Sequence, residues 1–76
     1  MSVKIYSTPS CVYCNLAKDY FRKNNIRYEE YNVAGDMKKA EEMVRKSGQM
    51  GVPVIDINGK IIVGFDRTAV DRALHR

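Results

Sequence analysis

Two β-branched runs, 52–57 (Val-Pro-Val-Ile-Asp-Ile) and 60–63 (Lys-Ile-Ile-Val), are joined by Asn58-Gly59. A two-residue type I′ turn needs positive φ at both central positions, which Asn and Gly tolerate, so this stretch predicts an antiparallel hairpin. The first half of the chain reads differently. Val3 to Ser7 is a short strand pattern, interrupted by Pro9-Ser10. From Val12 a helical period begins, with Tyr13, Leu16, Ala17, Tyr20 and Phe21 at three- and four-residue steps, and Asn24-Asn25 ends it. Arg27 to Val33 alternates as a second strand, with Tyr31 and Val33 on one side. Gly35-Asp36 then makes a turn and N-cap for a second helix, predicted to carry Met37, Ala40, Met43 and Val44 on its inner face and to stop near Gly48. Beyond the hairpin, Asp66 caps a last helix that should bury Ala69, Val70, Ala73 and Leu74.

The resulting order, β-α-β-α-β-β-α, combines two demands. A β-α-β opening makes the first two strands parallel, whereas the hairpin is antiparallel. A mixed four-stranded α/β sheet with helices packed on it satisfies both. The pattern leaves the strand order open. With 76 residues and no repeat, linker or low-complexity segment, residues 1–76 are expected to form one domain.

The two cysteines of the chain, Cys11 and Cys14, stand with two residues between them where the first strand gives way to the first helix. Sulfurs at that spacing close and reopen a small disulfide ring, and a helix start stabilises the thiolate that exchange requires. Cys11 faces the unpaired backbone N–H groups of the first turn, and the dipole there contributes at most about 2 kcal/mol. No Lys, Arg or His lies within four residues before Cys11 or three after Cys14. Its thiolate is therefore expected to rest on the N–H groups of Tyr13 and Cys14 and on the Cys14 thiol. Cys14, one turn further in, is the shielded resolving thiol and Cys11 the exposed attacker. Competing readings are half of a zinc site, which lacks its other ligands because the one histidine is His75, and a pair of inert core cysteines.

Charge and hydropathy narrow the setting. The net charge of +4 is spread over nearly every segment, without the basic stripe and interleaved aromatics of a nucleic-acid binder. On the second helix, Lys38-Lys39 and Arg45-Lys46 alternate with Glu41-Glu42 and read as a solvated face. There is no signal-peptide apolar region and no run approaching the roughly 18 apolar residues of a membrane span. A redox pair without an export signal points to the cytoplasm, with no membrane or nucleic-acid partner.

Taken together these motifs resemble the glutaredoxins over nearly the whole chain. Ile5-Tyr6-Ser7 before Cys11-Val12-Tyr13-Cys14 is similar to their first strand and active-site turn. Glu41-Glu42-Met43 through Ser47-Gly48-Gln49 is similar to the helix and loop that follow in that family. Gly51-Val52-Pro53 resembles their Thr-Val-Pro element and Gly64-Phe65-Asp66 their Gly-Cys-Asp or Gly-Ser-Asp element. The resemblance implies a thioredoxin fold with strand order 4-3-1-2, helices on both faces and a cis Pro53 facing the sulfurs. It also implies glutathione as co-substrate and electron donor, with no tightly bound cofactor. Disulfide-containing or glutathionylated client proteins would be the partners. In that setting Val52 would pair its backbone with the bound peptide, and Gln49 would hold the glycine carboxylate of glutathione. Asp66 and the N–H groups of Phe65 and Asp66 would hold the γ-glutamyl end, a role compatible with capping the last helix. Tyr13 would line the groove beside the sulfurs.

Several positions depart from the family pattern. Val12 replaces the usual proline, Thr8 a common lysine, Gly51 the usual threonine, Val63 the first glycine of a Gly-Gly pair and Arg67 the second aspartate of an Asp-Asp pair. Cys-Val-x-Cys and Gly-Phe also resemble the glutaredoxin-like redoxins that are recharged by thioredoxin reductase and serve ribonucleotide reductase, although Asp66 stands where those carry Arg. A third alternative is an interaction domain, or one binding an iron–sulfur cluster between two subunits, which the second cysteine disfavours.

Overall fold

The structure is a computed structural model that describes residues 2–75. Seven elements follow in the predicted order: β1 (Val3–Ser7), α1 (Val12–Lys23), β2 (Glu29–Asn32), α2 (Met37–Ser47), β3 (Val54–Ile57), β4 (Lys60–Val63) and α3 (Arg67–Leu74). The sheet runs β2-β1-β3-β4, with β1 and β2 parallel and the other pairs antiparallel. This is the mixed four-stranded sheet and the strand order of the thioredoxin fold. Asn58 at φ 52° and Gly59 at φ 90° give the turn its two positive φ values. Strands β1 and β3 lie in the middle and are largely buried on both faces, polar Ser7 and Asp56 included.

Side chains alternate between the two faces of each strand. Val3, Ile5, Ile55, Ile57 and Ile62 point to one face, where Ala17 and Phe21 of α1 and Val70, Ala73 and Leu74 of α3 complete the main core. Tyr6 and Val54 point to the other, against Met43 of α2. Helices therefore cover both faces. Asp36 and Asp66 cap α2 and α3 as the sequence predicts, each accepting from the backbone N–H three residues on, at 3.1 Å. Gly48 closes α2 in the left-handed conformation. At the end of α1 it is Asn25, not the C-cap Asn24, that takes the left-handed conformation.

The predicted inner face of α2 needs correction. Met37 is 77% exposed and Val44 is also exposed, and only Met43 is buried. The face turned to the sheet is largely polar. Lys46 Nζ donates to Asp56 Oδ2 at 2.8 Å and to the Tyr6 hydroxyl at 2.9 Å, and Tyr6 in turn donates to Glu42. Lys39 reaches Glu42 at 3.5 Å and lies 4.1 Å from the centre of the Tyr31 ring. Asp56 is buried on the central strand, so an inward Lys46 answers a charge that an apolar helix face would leave unpaired. Burial opposes ionisation of Asp56, but the Lys46 hydrogen bond, the Gly59 N–H and the Lys46 charge together hold its carboxyl below the usual range. Half of the charge pattern that reads as a solvated face is thus a sheet contact.

Candidate active site

Register brings three segments to one end of the sheet. Tyr6 near the end of β1 pairs with Val54 at the start of β3, and Val54 pairs with Val63 at the end of β4. The chain that follows Ser7, that which precedes Val54 and that which follows Val63 all emerge there. These segments carry Cys11 to Cys14, Val52-Pro53 and Phe65-Asp66 respectively, so residues scattered over the sequence share one rim.

Cys11 is the N-cap of α1, in extended backbone conformation (φ −87°, ψ 113°), and its Sγ accepts the Cys14 N–H at 3.1 Å. Its own N–H donates to Thr8 O at 3.3 Å and so fixes the loop. One of the helix's unpaired donors thereby points at a sulfur, in the manner of a capping oxygen. Both cysteines are free thiols, Cys11 partly exposed and Cys14 wholly buried. Burial, and next a hydrogen bond to Cys11, push the Cys14 thiol up to about 12, against a backbone hydrogen bond at Thr8 and the charge of Lys18. The two sulfurs are therefore unequal. One is held at the surface with an N–H directed at it, and the other is stored protonated in the core.

Three large apolar side chains of the first turns of α1 are exposed. Val12 is 68% and Tyr13 63% exposed, and Leu16 is exposed beside them. The helical period that includes Tyr13 and Leu16 thus extends past the core, for which Cys14, Ala17 and Phe21 suffice.

The Val52–Pro53 bond is cis, as the resemblance implies. Pro53 is buried and its carbonyl accepts the Gly64 N–H at 2.8 Å, which joins the second and third rim segments. Val52 is half-buried against the Tyr6–Met43–Val54 cluster. Gln49 is engaged within its own loop. Its Nε2 donates to Ser47 Oγ at 3.2 Å and to Gly51 O at 3.1 Å, and its Oε1 accepts the Gly51 N–H at 2.6 Å. A Cβ at position 51 would meet Oε1 at 2.7 Å, so glycine there gives the Gln49 side chain room to close on the loop. Phe65 packs on Tyr20 with ring centroids 5.8 Å apart, and the Asp66 carboxylate caps α3 through Ala69 N–H. Arg67 stacks on Tyr20 at 4.8 Å and lies 3.9 Å from Asp71.

The sequence reading missed one group near the pair. Lys18 donates to Glu30 Oε2 at 2.7 Å, and the same oxygen accepts from Ser7 Oγ at 2.8 Å. Lys18 stands four residues after Cys14, an i,i+4 spacing that puts the two on one face of α1 and is legible in the sequence. Among the described residues, no cluster of three or more His, Cys, Asp or Glu could hold a metal ion, and no helix is long and apolar enough to cross a membrane.

Comparison with known proteins follows the same lines. The family model described as Glutaredoxin matches residues 3–62. A glutaredoxin-like 8.6 kDa protein in the rubredoxin operon of Clostridium pasteurianum is 49% identical over 74 residues, spanning 97% of this chain and 99% of that protein. Glutaredoxin 3 of Escherichia coli (strain K12) is 35% identical over 65 residues, 86% of this chain and 78% of its own length. Among solved structures, the glutaredoxin-like protein NrdH-redoxin of Escherichia coli superposes with a TM-score of 0.85 at 26% identity, covering 95% of this chain and 93% of that one.

Proposed function

The chain belongs to the glutaredoxin family, and we propose that it is a single-domain, cytoplasmic dithiol oxidoreductase in which Cys11 attacks and Cys14 resolves. The observation that carries this reading is the inequality of the two thiols: Cys11 partly exposed and capped by an N–H, Cys14 buried and protonated. In the first step the Cys11 thiolate attacks a disulfide R–S–S–R′, expels R′S⁻ and forms Cys11–S–S–R. Cys14 then attacks the Cys11 sulfur, releases RSH and leaves the Cys11–Cys14 disulfide. Two glutathione molecules restore the dithiol and leave as glutathione disulfide, so glutathione is a co-substrate and no tightly bound cofactor is needed.

The exposed Val12, Tyr13 and Leu16 are suited to an apolar flank of a client protein, and the backbone of Val52 to an extended peptide beside it. Phe65 and Asp66 are the proposed seat of the γ-glutamyl end of glutathione. Asp66 serves there through a carboxylate that already caps α3. Gln49 can hold the glycine carboxylate only by leaving Ser47 and Gly51.

That closed Gln49 favours a second reading, in which thioredoxin reductase recharges the pair and the chain is an electron carrier for a client such as ribonucleotide reductase. The likeness to NrdH-redoxin, a glutaredoxin-like protein described as having a thioredoxin-like activity profile, supports it as well. One assay separates the two: reduction of a glutathionylated substrate by wild type, Cys11→Ser and Cys14→Ser, with either glutathione and its reductase or thioredoxin reductase. Turnover with glutathione, abolished in Cys11→Ser and partly kept in Cys14→Ser, supports the first reading. Turnover with thioredoxin reductase alone moves the function to the second, and full activity of Cys11→Ser refutes both.

A further inference from the structure

The resolving step raises a difficulty that the two cysteines alone do not answer. Cys14 has to lose a proton while buried, and burial is the largest influence against that. Once Cys11 is tied up in a mixed disulfide its charge no longer opposes Cys14, but the burial persists. The groups that favour the Cys14 thiolate are a backbone hydrogen bond at Thr8 and the Lys18 ammonium, of which Lys18 alone carries a full charge.

Lys18 is held rather than free. It lies one helical turn after Cys14, where i,i+4 side chains are neighbours. Its side chain is only 14% exposed, and its ammonium is anchored to Glu30 on β2. Glu30 is itself fixed by Ser7, which is 1% exposed and ends the strand that leads into the cysteine loop. The Lys18 hydrogen bond, the first cause favouring the charged form, holds the Glu30 carboxyl below its usual range. Glu30 is thus an ionised anchor at neutral pH, not a proton acceptor. Arg22 also acts on Glu30, and it pairs with Asp19 at 3.3 Å.

We propose that Lys18, clamped by Glu30 and Ser7, is a positioning residue for the resolving step, supplying the fixed positive charge beside which Cys14 gives up its proton. This rests on the dithiol reading above. In the step, the Cys14 S–H proton leaves to solvent, the Cys14–Cys11 S–S bond forms and the Cys11–S–R bond breaks. The departing RS⁻ takes up a proton from solvent, so the mixed disulfide is the oxidant and nothing further is required. The Lys18 charge is the smallest of these influences on Cys14, so its removal lowers the thiolate fraction by about tenfold at most. The more basic thiolate that remains is a better nucleophile, so the net slowing is about threefold.

The test is a stopped-flow reaction of the full chain with an aromatic disulfide whose leaving thiolate is coloured. A concentration-dependent first phase reports attack by Cys11, and a first-order second phase reports ring closure. In Lys18→Met the second phase slows about threefold while the first changes by less than about 1.5-fold. Lys18→Arg keeps the charge and restores ring closure. The double variant Lys18→Met/Glu30→Gln leaves no unpaired carboxylate, tests the same charge where the single variant fails to fold, and remains slow. Unchanged ring closure in Lys18→Met, or its recovery in the double variant, overturns the proposal, recovery meaning that the ion pair is only structural. A wild type with no second phase overturns the dithiol reading instead.

Discussion

Alkylation at pH 8 tests the division of labour between the two sulfurs. An ordinary thiol with a pKa of about 8.5 is roughly one quarter thiolate at that pH. Cys14, pushed up to about 12, holds about one part in ten thousand as thiolate. Ionisation alone thus reduces its reactive form roughly 2,000-fold. A more basic thiolate is intrinsically the better nucleophile, which returns roughly 40-fold at a Brønsted slope of about 0.45. The net expectation, while Cys11 is still free, is labelling of Cys14 about 60-fold slower than the same residue in the unfolded chain. Full burial adds to this, because reagent reaches Cys14 only through opening of the fold. The assay is an iodoacetamide time course with site-resolved mass spectrometry, run on the native and guanidinium-unfolded protein. Cys11, partly exposed, is labelled first. Native labelling of Cys14 within about tenfold of the unfolded rate, or ahead of Cys11, would refute the reasoning that places one thiol at the surface and the other in reserve.

Three further outcomes concern the scaffold beneath the site. Asp56→Ala removes the acceptor of both Lys46 Nζ and the Gly59 N–H, each at 2.8 Å. It should cost about 2–4 kcal/mol in urea unfolding, below a fully buried pair because Lys46 stays partly solvated; an unchanged midpoint would show the network to be dispensable. Glu30, Glu42 and Asp56 all have carboxyls held below their usual range, so the unfolded chain binds protons more readily than the folded one. The stability they contribute is present above about pH 5 and is lost as pH falls through their folded values, so the urea midpoint should drop between about pH 5 and pH 3. A flat profile contradicts this. Gly59→Ala places a side chain at φ +90° in the hairpin turn and should cost about 1 kcal/mol, a fall of roughly 4–8 °C in Tm by calorimetry. No shift would mean that the turn relaxes freely.

The contact between α2 and the sheet shows where sequence patterning stops being informative. Hydropathy places Met37 and Val44 inward, and both are exposed, because the helix is rotated to present Lys39, Glu42 and Lys46. An apolar period and a charged period coexist in residues 37–47, and a buried Asp56 on the neighbouring strand decides between them. A helix facing an apolar sheet would bury its methionines; this one faces a carboxylate and a tyrosine hydroxyl.

Local chemistry determined much of the protein. Asn58-Gly59 and the β-branched runs beside it set a hairpin, Asp36 and Asp66 start helices, Gly48 stops one, and Cys11, three residues before Cys14, marks the candidate reactive rim. These features concern atoms within one or two turns of each other, so the residues alone specify them. Other features arose only when the sheet closed. Strand register draws the Cys11 loop, Pro53 and Phe65-Asp66 to one edge, and β1 and β2 carry Ser7 and Glu30 to the same face as Lys18. Tyr13 and Leu16 remain outside because the space above β1 and β3 is already filled by Ala17, Phe21 and α3. The Gln49 side chain turned onto its own loop, a choice of rotamer that depends on room left at Gly51. Partners far apart in the chain meet only through the three-dimensional packing, and it is there that the two sulfurs acquire their unequal surroundings.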